Sequence, residues 1–73
     1  MKQMVPVAVG KVRRELNLNR SQLAREAGMQ PGVIGWIETG RYYPYDTQLE
    51  KIAAVFRKHG WTGETETLLE EVG

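Results

Sequence analysis

From Val9 to Val72 the apolar residues recur at three- and four-residue spacings, and no stretch alternates convincingly between apolar and polar side chains. That period belongs to helices that bury one face, so the expected fold class is all-α. The stripes are short. Val9, Val12 and Leu16 form the first, and Leu23, Ala24 and Ala27 the second. Ile34 and Ile37 form the third, Leu49, Ile52, Ala53 and Phe56 the fourth, and Leu68, Leu69 and Val72 the last.

Little besides these faces is available to hold the chain together. It has 73 residues, no cysteine and one histidine. Residues 1–73 therefore read as a single domain, with disulfides and thiolate metal sites excluded and a structural zinc not expected. A chain of this size buries a modest core, so stability must come from close helical packing or from a partner subunit. No apolar run approaches the roughly 18 residues of a membrane span. The apolar stretch Met4 to Val9 is too short for a signal-peptide core, so a cytoplasmic protein without membrane contact is expected.

Net charge is +1, but it is unevenly spread. Residues 1–45 hold seven bases (Lys2, Lys11, Arg13, Arg14, Arg20, Arg25, Arg41) against Glu15, Glu26 and Glu38, a net +4. Residues 46–73 hold Lys51, Arg57 and Lys58 against six acids, a net −3. This asymmetry suits one face for a polyanion and another turned away from it.

The helix boundaries carry local signals. Pro6 suits a first helical position, and Gly10 inside the first stripe costs about 1 kcal/mol relative to Ala, so helix 1 is expected to start late or fray. Asn19 is an N-cap for a short helix through Ala27, and Gly28 ends it. The next helix runs from Pro31 to about Glu38 and is closed by Gly40. Pro44 keeps Tyr43 out of the helical region, so residues 41–45 read as a loop. Asp46 or Thr47 caps the fourth helix, with Thr47 and Glu50 spaced as a capping box. That helix ends near His59-Gly60, and Thr62 is expected to cap a fifth through about Val72.

Two short helices joined by a glycine-containing turn, about 19–27 and 31–38 around Gly28-Met29-Gln30, form a helix-turn-helix. Small Ala24 lets the pair approach, with Leu23 against Ile34 and Ile37. The order Leu18-Asn19-Arg20-Ser21-Gln22-Leu23-Ala24, Gly28-Met29, Ile34-Gly35-Trp36-Ile37-Glu38-Thr39-Gly40, then Pro44, Leu49, Ile52 and Ala53 carries a resemblance. Residues 10–56 resemble the lambda-repressor-like, Xre-type helix-turn-helix family. The resemblance implies a five-helix domain that binds duplex DNA, commonly as a dimer on an inverted repeat, and regulates transcription.

Carried over position by position, the resemblance puts Arg20 at a phosphate or a nearby base edge. It puts Gln30, Pro31, Gly32, Gly35 and Trp36 on the recognition helix, and Thr39, Arg41, Tyr42 and Tyr43 in a loop near the DNA backbone. Arg13 and Glu38 occupy positions that pair with each other in the family. The fifth helix, about 62–72, is the family-like dimerisation element, through Leu68, Leu69 and Val72. The recognition face departs from the usual pattern. It offers Pro31, two glycines, Val33 and Trp36 where Ser, Thr, Gln, Asn, Lys or Arg are usual. Gln30 is its one obvious bidentate reader and suits adenine.

No Gly-rich phosphate loop, metal-ligand spacing or catalytic triad is present in the sequence, so no enzyme, metal or small-molecule cofactor is expected. The expected function is a sequence-specific DNA-binding regulator acting as a homodimer. The alternative is an adaptor, antitoxin-like or a phage accessory subunit, that uses the same scaffold to hold a protein through Trp36 and the tyrosines.

Overall fold

The structure is a computed structural model and describes residues 3–6 and 8–72. Its order is β1 (Gln3–Val5), α1 (Ala8–Glu15), α2 (Arg20–Ala27), α3 (Pro31–Glu38), α4 (Asp46–Lys58), a 3-10 turn (Thr65–Leu68) and β2 (Glu70–Val72). The body of the domain is helical. None of these helices is long and apolar enough to cross a membrane.

Each helix boundary has a local cause. Asn17 adopts φ 59°, a left-handed conformation that Asn tolerates, and closes α1. The Asn19 side chain accepts from the Gln22 N–H at 2.7 Å and opens α2. Gly28, at φ 70°, ends α2 while Met29 N donates to Ala24 O at 2.7 Å and Gly28 N to Arg25 O at 3.3 Å. This pair of bonds is a Schellman cap, and it turns the chain sharply into Pro31 at the head of α3.

The start of α4 differs from expectation. Tyr45 is its N-cap, and the Gln48 side chain, not the Thr47–Glu50 pair, closes the first turn. Gln48 Oε1 accepts from Tyr45 N and from Tyr42 Oη, both at 2.9 Å. One amide thereby ties the loop before α4 to the helix itself.

The larger difference lies after Gly60. The fifth helix expected over about 62–72 is replaced by a single 3-10 turn and a strand, so the described residues form four α-helices and not five. β2 pairs antiparallel with β1 in the register Gln3 with Val72, Met4 with Glu71 and Val5 with Glu70. The physical reason is threefold. Thr65 and Thr67 are β-branched and weak helix formers. Thr67 Oγ1 donates to Glu64 O at 2.6 Å, a local bond that competes with helix propagation. The β1 segment supplies a backbone partner that a terminal helix would leave unused.

The core is contributed by every helix and by the 3-10 turn. Val9, Leu23, Ile34, Ile37, Ile52, Phe56 and Leu68 are wholly buried. Leu68 therefore fills the monomer's core and presents no face to a partner, contrary to its expected dimerisation role. Leu69 lies partly buried at the margin of the same core. Val72, the third residue of that expected face, belongs to β2. Trp61 closes the far end of α4, its ring edge-on to Phe56 at 5.9 Å with Arg57 5.6 Å from its ring centre.

Candidate nucleic-acid interface

Leu23 and Ala24 of α2 bury against Ile34 and Ile37 of α3, and this packing decides which side of α3 is free. The free side carries Pro31, Gly32, Gly35 and Trp36, with Trp36 52% exposed. Together with Arg20, Thr39 and Arg41 these residues line an open groove of about 470 Å³. Seven positions expected at a DNA interface thus line one surface feature. Gln30 is exposed immediately before Pro31, outside the groove lining.

The C-terminal end of α3 repeats the cap seen after α2. Gly40 takes φ 80°, Gly40 N donates to Ile37 O at 3.2 Å and Arg41 N to Trp36 O at 2.8 Å. This cap delivers the exposed Arg41 to the rim of the groove. Thr39 spends its hydroxyl hydrogen within α3, with Gly35 O 3.0 Å away and Trp36 O at 3.4 Å. Tyr43 is exposed, whereas Tyr42 is half-buried, packs on the core and donates to Gln48. Tyr42 thus anchors the loop, and of these two Tyr43 is the exposed one.

Beneath the groove lies a carboxylate shared by two arginines. Arg13 Nε donates to Glu38 Oε2 at 2.6 Å and Arg13 Nη2 to Oε1 at 3.2 Å. Arg20 Nε donates to the same Oε1 at 3.1 Å. The Glu38 side chain is only 4% exposed and Arg13 11%, whereas Arg20 is 51% exposed. Arg13 Nη1 also donates to Leu18 O at 2.9 Å, tying the α1–α2 turn to the same pair. α1, α2 and the end of α3 therefore meet at one charged centre, and Arg20 reaches from it to the groove.

Gly10 gives this centre room. A Cβ there would stand 3.1 Å from Glu38 Oε1 and 3.2 Å from Arg14 Nη1, tighter than a normal contact. The glycine that weakens α1 is thus buried where the carboxylate must approach the helix backbone.

A second ion-pair cluster joins α2 to the end of α4. Glu26 Oε1 accepts from Lys58 Nζ at 2.9 Å, and His59 Nε2 lies 3.1 Å from both Glu26 oxygens. Gln22 Nε2 donates to Glu26 Oε2 at 3.2 Å. The hydrogen bond from Lys58, then that from His59, pulls the Glu26 carboxyl down to about 2.

Neither the Arg20–Glu38 bond nor the Glu26 cluster was foreseen in the sequence. Apart from Gln22 and Glu26, four residues apart on α2, their partners lie 18 to 33 residues apart, where no helical spacing rule applies. Gly10 was the one available signal, an unexplained glycine inside a helical stripe.

The family described as helix-turn-helix matches residues 9–60 of the chain. The chain belongs to the lambda-repressor, Xre-type helix-turn-helix family. In that family's terms α2 and α3 are the two motif helices, and α3 is the recognition helix. No curated relative and no solved structure matches the chain significantly.

Proposed function

We propose that this helix-turn-helix protein is a non-enzymatic, cytoplasmic transcriptional regulator that binds specific duplex DNA as a homodimer and needs no cofactor. The observation that carries the reading is the groove of α3, where Arg20 and Arg41 flank an exposed face of a helix, the element that a major groove admits. Arg20 is pre-positioned. Its Nε is held by Glu38, which leaves its terminal nitrogens for a phosphate. Arg41 and the Tyr43 hydroxyl supply further backbone contacts, and Gln30 supplies a bidentate reader for adenine.

Dimerisation follows from affinity. A single eight-residue recognition helix makes few contacts, and two half-sites one helical turn apart add their binding energies. With Leu68 buried, the partner surface falls to the exposed part of Leu69 and to the unpaired edges of the β1–β2 ladder.

Selection of bound duplexes from a random library, followed by titration across salt, tests the reading. A single enriched motif and an affinity that falls steeply with salt are expected. The exposed Trp36 favours one competing reading, a protein-binding adaptor. Absence of duplex binding above background at low salt would decide for it.

A further inference from the structure

Gly32 and Gly35 serve nothing inside the molecule. Positive φ among the described glycines occurs at Gly28, Gly40 and Gly60, not here. A Cβ on Gly32 would meet no atom within 4 Å, and one on Gly35 would stand 3.7 Å from Arg20 Nη1, an ordinary contact. Gly10 differs: a Cβ there would stand 3.1 Å from Glu38 Oε1, a tight contact. Each glycine weakens a helix relative to alanine, and α3 is only eight residues long. The two lie three residues apart and share a face with Trp36, four residues beyond Gly32. Their missing side chains open that face to a close external surface.

The same face is short of hydrogen-bonding groups. Glu38, the only charged side chain of α3, is nearly buried and bound by two arginines. What remains on the helix outside the core is Pro31, glycine backbone, the Trp36 indole with its single N–H donor, and Val33, which is partly buried against the core. Most features of a major-groove base edge need a polar partner. The 5-methyl group of a pyrimidine is the one that an apolar surface matches.

We infer that Gly32 and Gly35 bring the α3 backbone close to the base edges so that Trp36 packs on a pyrimidine 5-methyl group. The inference rests on the reading of this groove as a duplex-DNA site. Thymine and 5-methylcytosine share the methyl. The indole N–H matches the O4 acceptor of thymine and not the amino group of cytosine, so thymine is the better partner. Specificity on this face is therefore a matter of methyl contact, separate from the adenine read by Gln30.

The test uses duplexes selected from a random library by the full chain, resynthesised with deoxyuridine in place of each thymidine in turn. Loss of the methyl should weaken binding about fourfold at one position per half-site, as expected for about 0.8 kcal/mol of burial. At that position 5-methyldeoxycytidine should bind more tightly than deoxycytidine by a similar factor but less tightly than thymidine. Trp36→Ala should erase the difference between thymidine and deoxyuridine. Gly32→Ala should keep or raise the melting temperature while weakening binding about tenfold, because the added methyl occupies the space of close approach. Equal binding of thymidine and deoxyuridine duplexes at every position overturns this inference and leaves the DNA reading standing, as does full affinity of Gly32→Ala. If no duplex survives selection, the DNA reading itself fails and this inference with it.

Discussion

Arg13 grips Glu38 with two nitrogens, Nε to Oε2 at 2.6 Å and Nη2 to Oε1 at 3.2 Å, so that α1 is locked to the last turn of α3. Both side chains are largely buried; Arg13 is neutralised by Glu38, and Glu38 by Arg13 together with the half-exposed Arg20. Glu38→Ala should therefore cost about 3–5 kcal/mol, since it strands a buried guanidinium. An alanine double-mutant cycle with Arg13 should give a coupling above roughly 0.5 kcal/mol in denaturant melts, and additive losses would refute the pairing. Arg20→Ala, at a half-exposed partner of the same carboxylate, should cost less than about 1 kcal/mol.

The two leucines of the C-terminal segment should behave in opposite ways. Leu68 is wholly buried, so Leu68→Ala should cost about 2–5 kcal/mol, and Leu68→Glu should unfold the domain. Leu69 is only partly buried, so Leu69→Glu should retain the fold. Sedimentation then separates folding from assembly. Wild type is expected to be dimeric at micromolar concentration and Leu69→Glu monomeric and folded; a wild type that stays monomeric both free and on DNA would exclude the homodimer.

Acid should reveal the Glu26 cluster. The folded carboxyl titrates near 2 against an ordinary value of 4.5, so folding favours its ionised form. Its contribution is complete above the ordinary value and is lost as pH falls from 4.5 towards 2. Stability measured by urea denaturation across that window should decline more steeply for wild type than for Glu26→Gln. Parallel profiles would show that the cluster contributes nothing.

On the interface, Arg41 and Gln30 should separate affinity from specificity. Arg41→Ala is expected to weaken binding to all duplexes alike and to flatten the salt slope by about one unit. Gln30→Ala should relax preference at a single base pair of each half-site, by about 1–3 kcal/mol if the contact is bidentate. A uniform loss from Gln30→Ala would reassign it to backbone contact.

The middle of the fold was legible because its signals are local. Asn19, Gly28 and Pro31 each act within one turn, and Leu23, Ile34, Ile37 and Phe56 repeat on a helical period whose inward face follows directly. The C-terminal segment was not legible for the opposite reason. Leu68, Leu69 and Val72 are compatible with a helix, and only pairing with residues at the other end of the chain selects the strand. The site divides in the same way. Membership of the exposed α3 face could be read from position, but the link from Arg20 to Glu38 depends on how α2 and α3 pack, which no spacing in the sequence encodes.

The antiparallel pairing of Gln3–Val5 with Glu70–Val72 also sets the order in which the molecule can assemble. In the unfolded chain no other pairing described here closes so long a loop, and each lengthening adds entropic cost. The α2–α3 pair, separated by a three-residue turn, has almost no such cost and is the natural nucleus. α4 can then pack against α2, and only this assembled core brings the two strand segments within reach. On a ribosome, where the N-terminal end emerges first, Gln3–Val5 must wait without its partner until the rest of the chain has been made. α3 can thus pack before the ladder shuts, and the ladder is expected to be the last of these contacts to close.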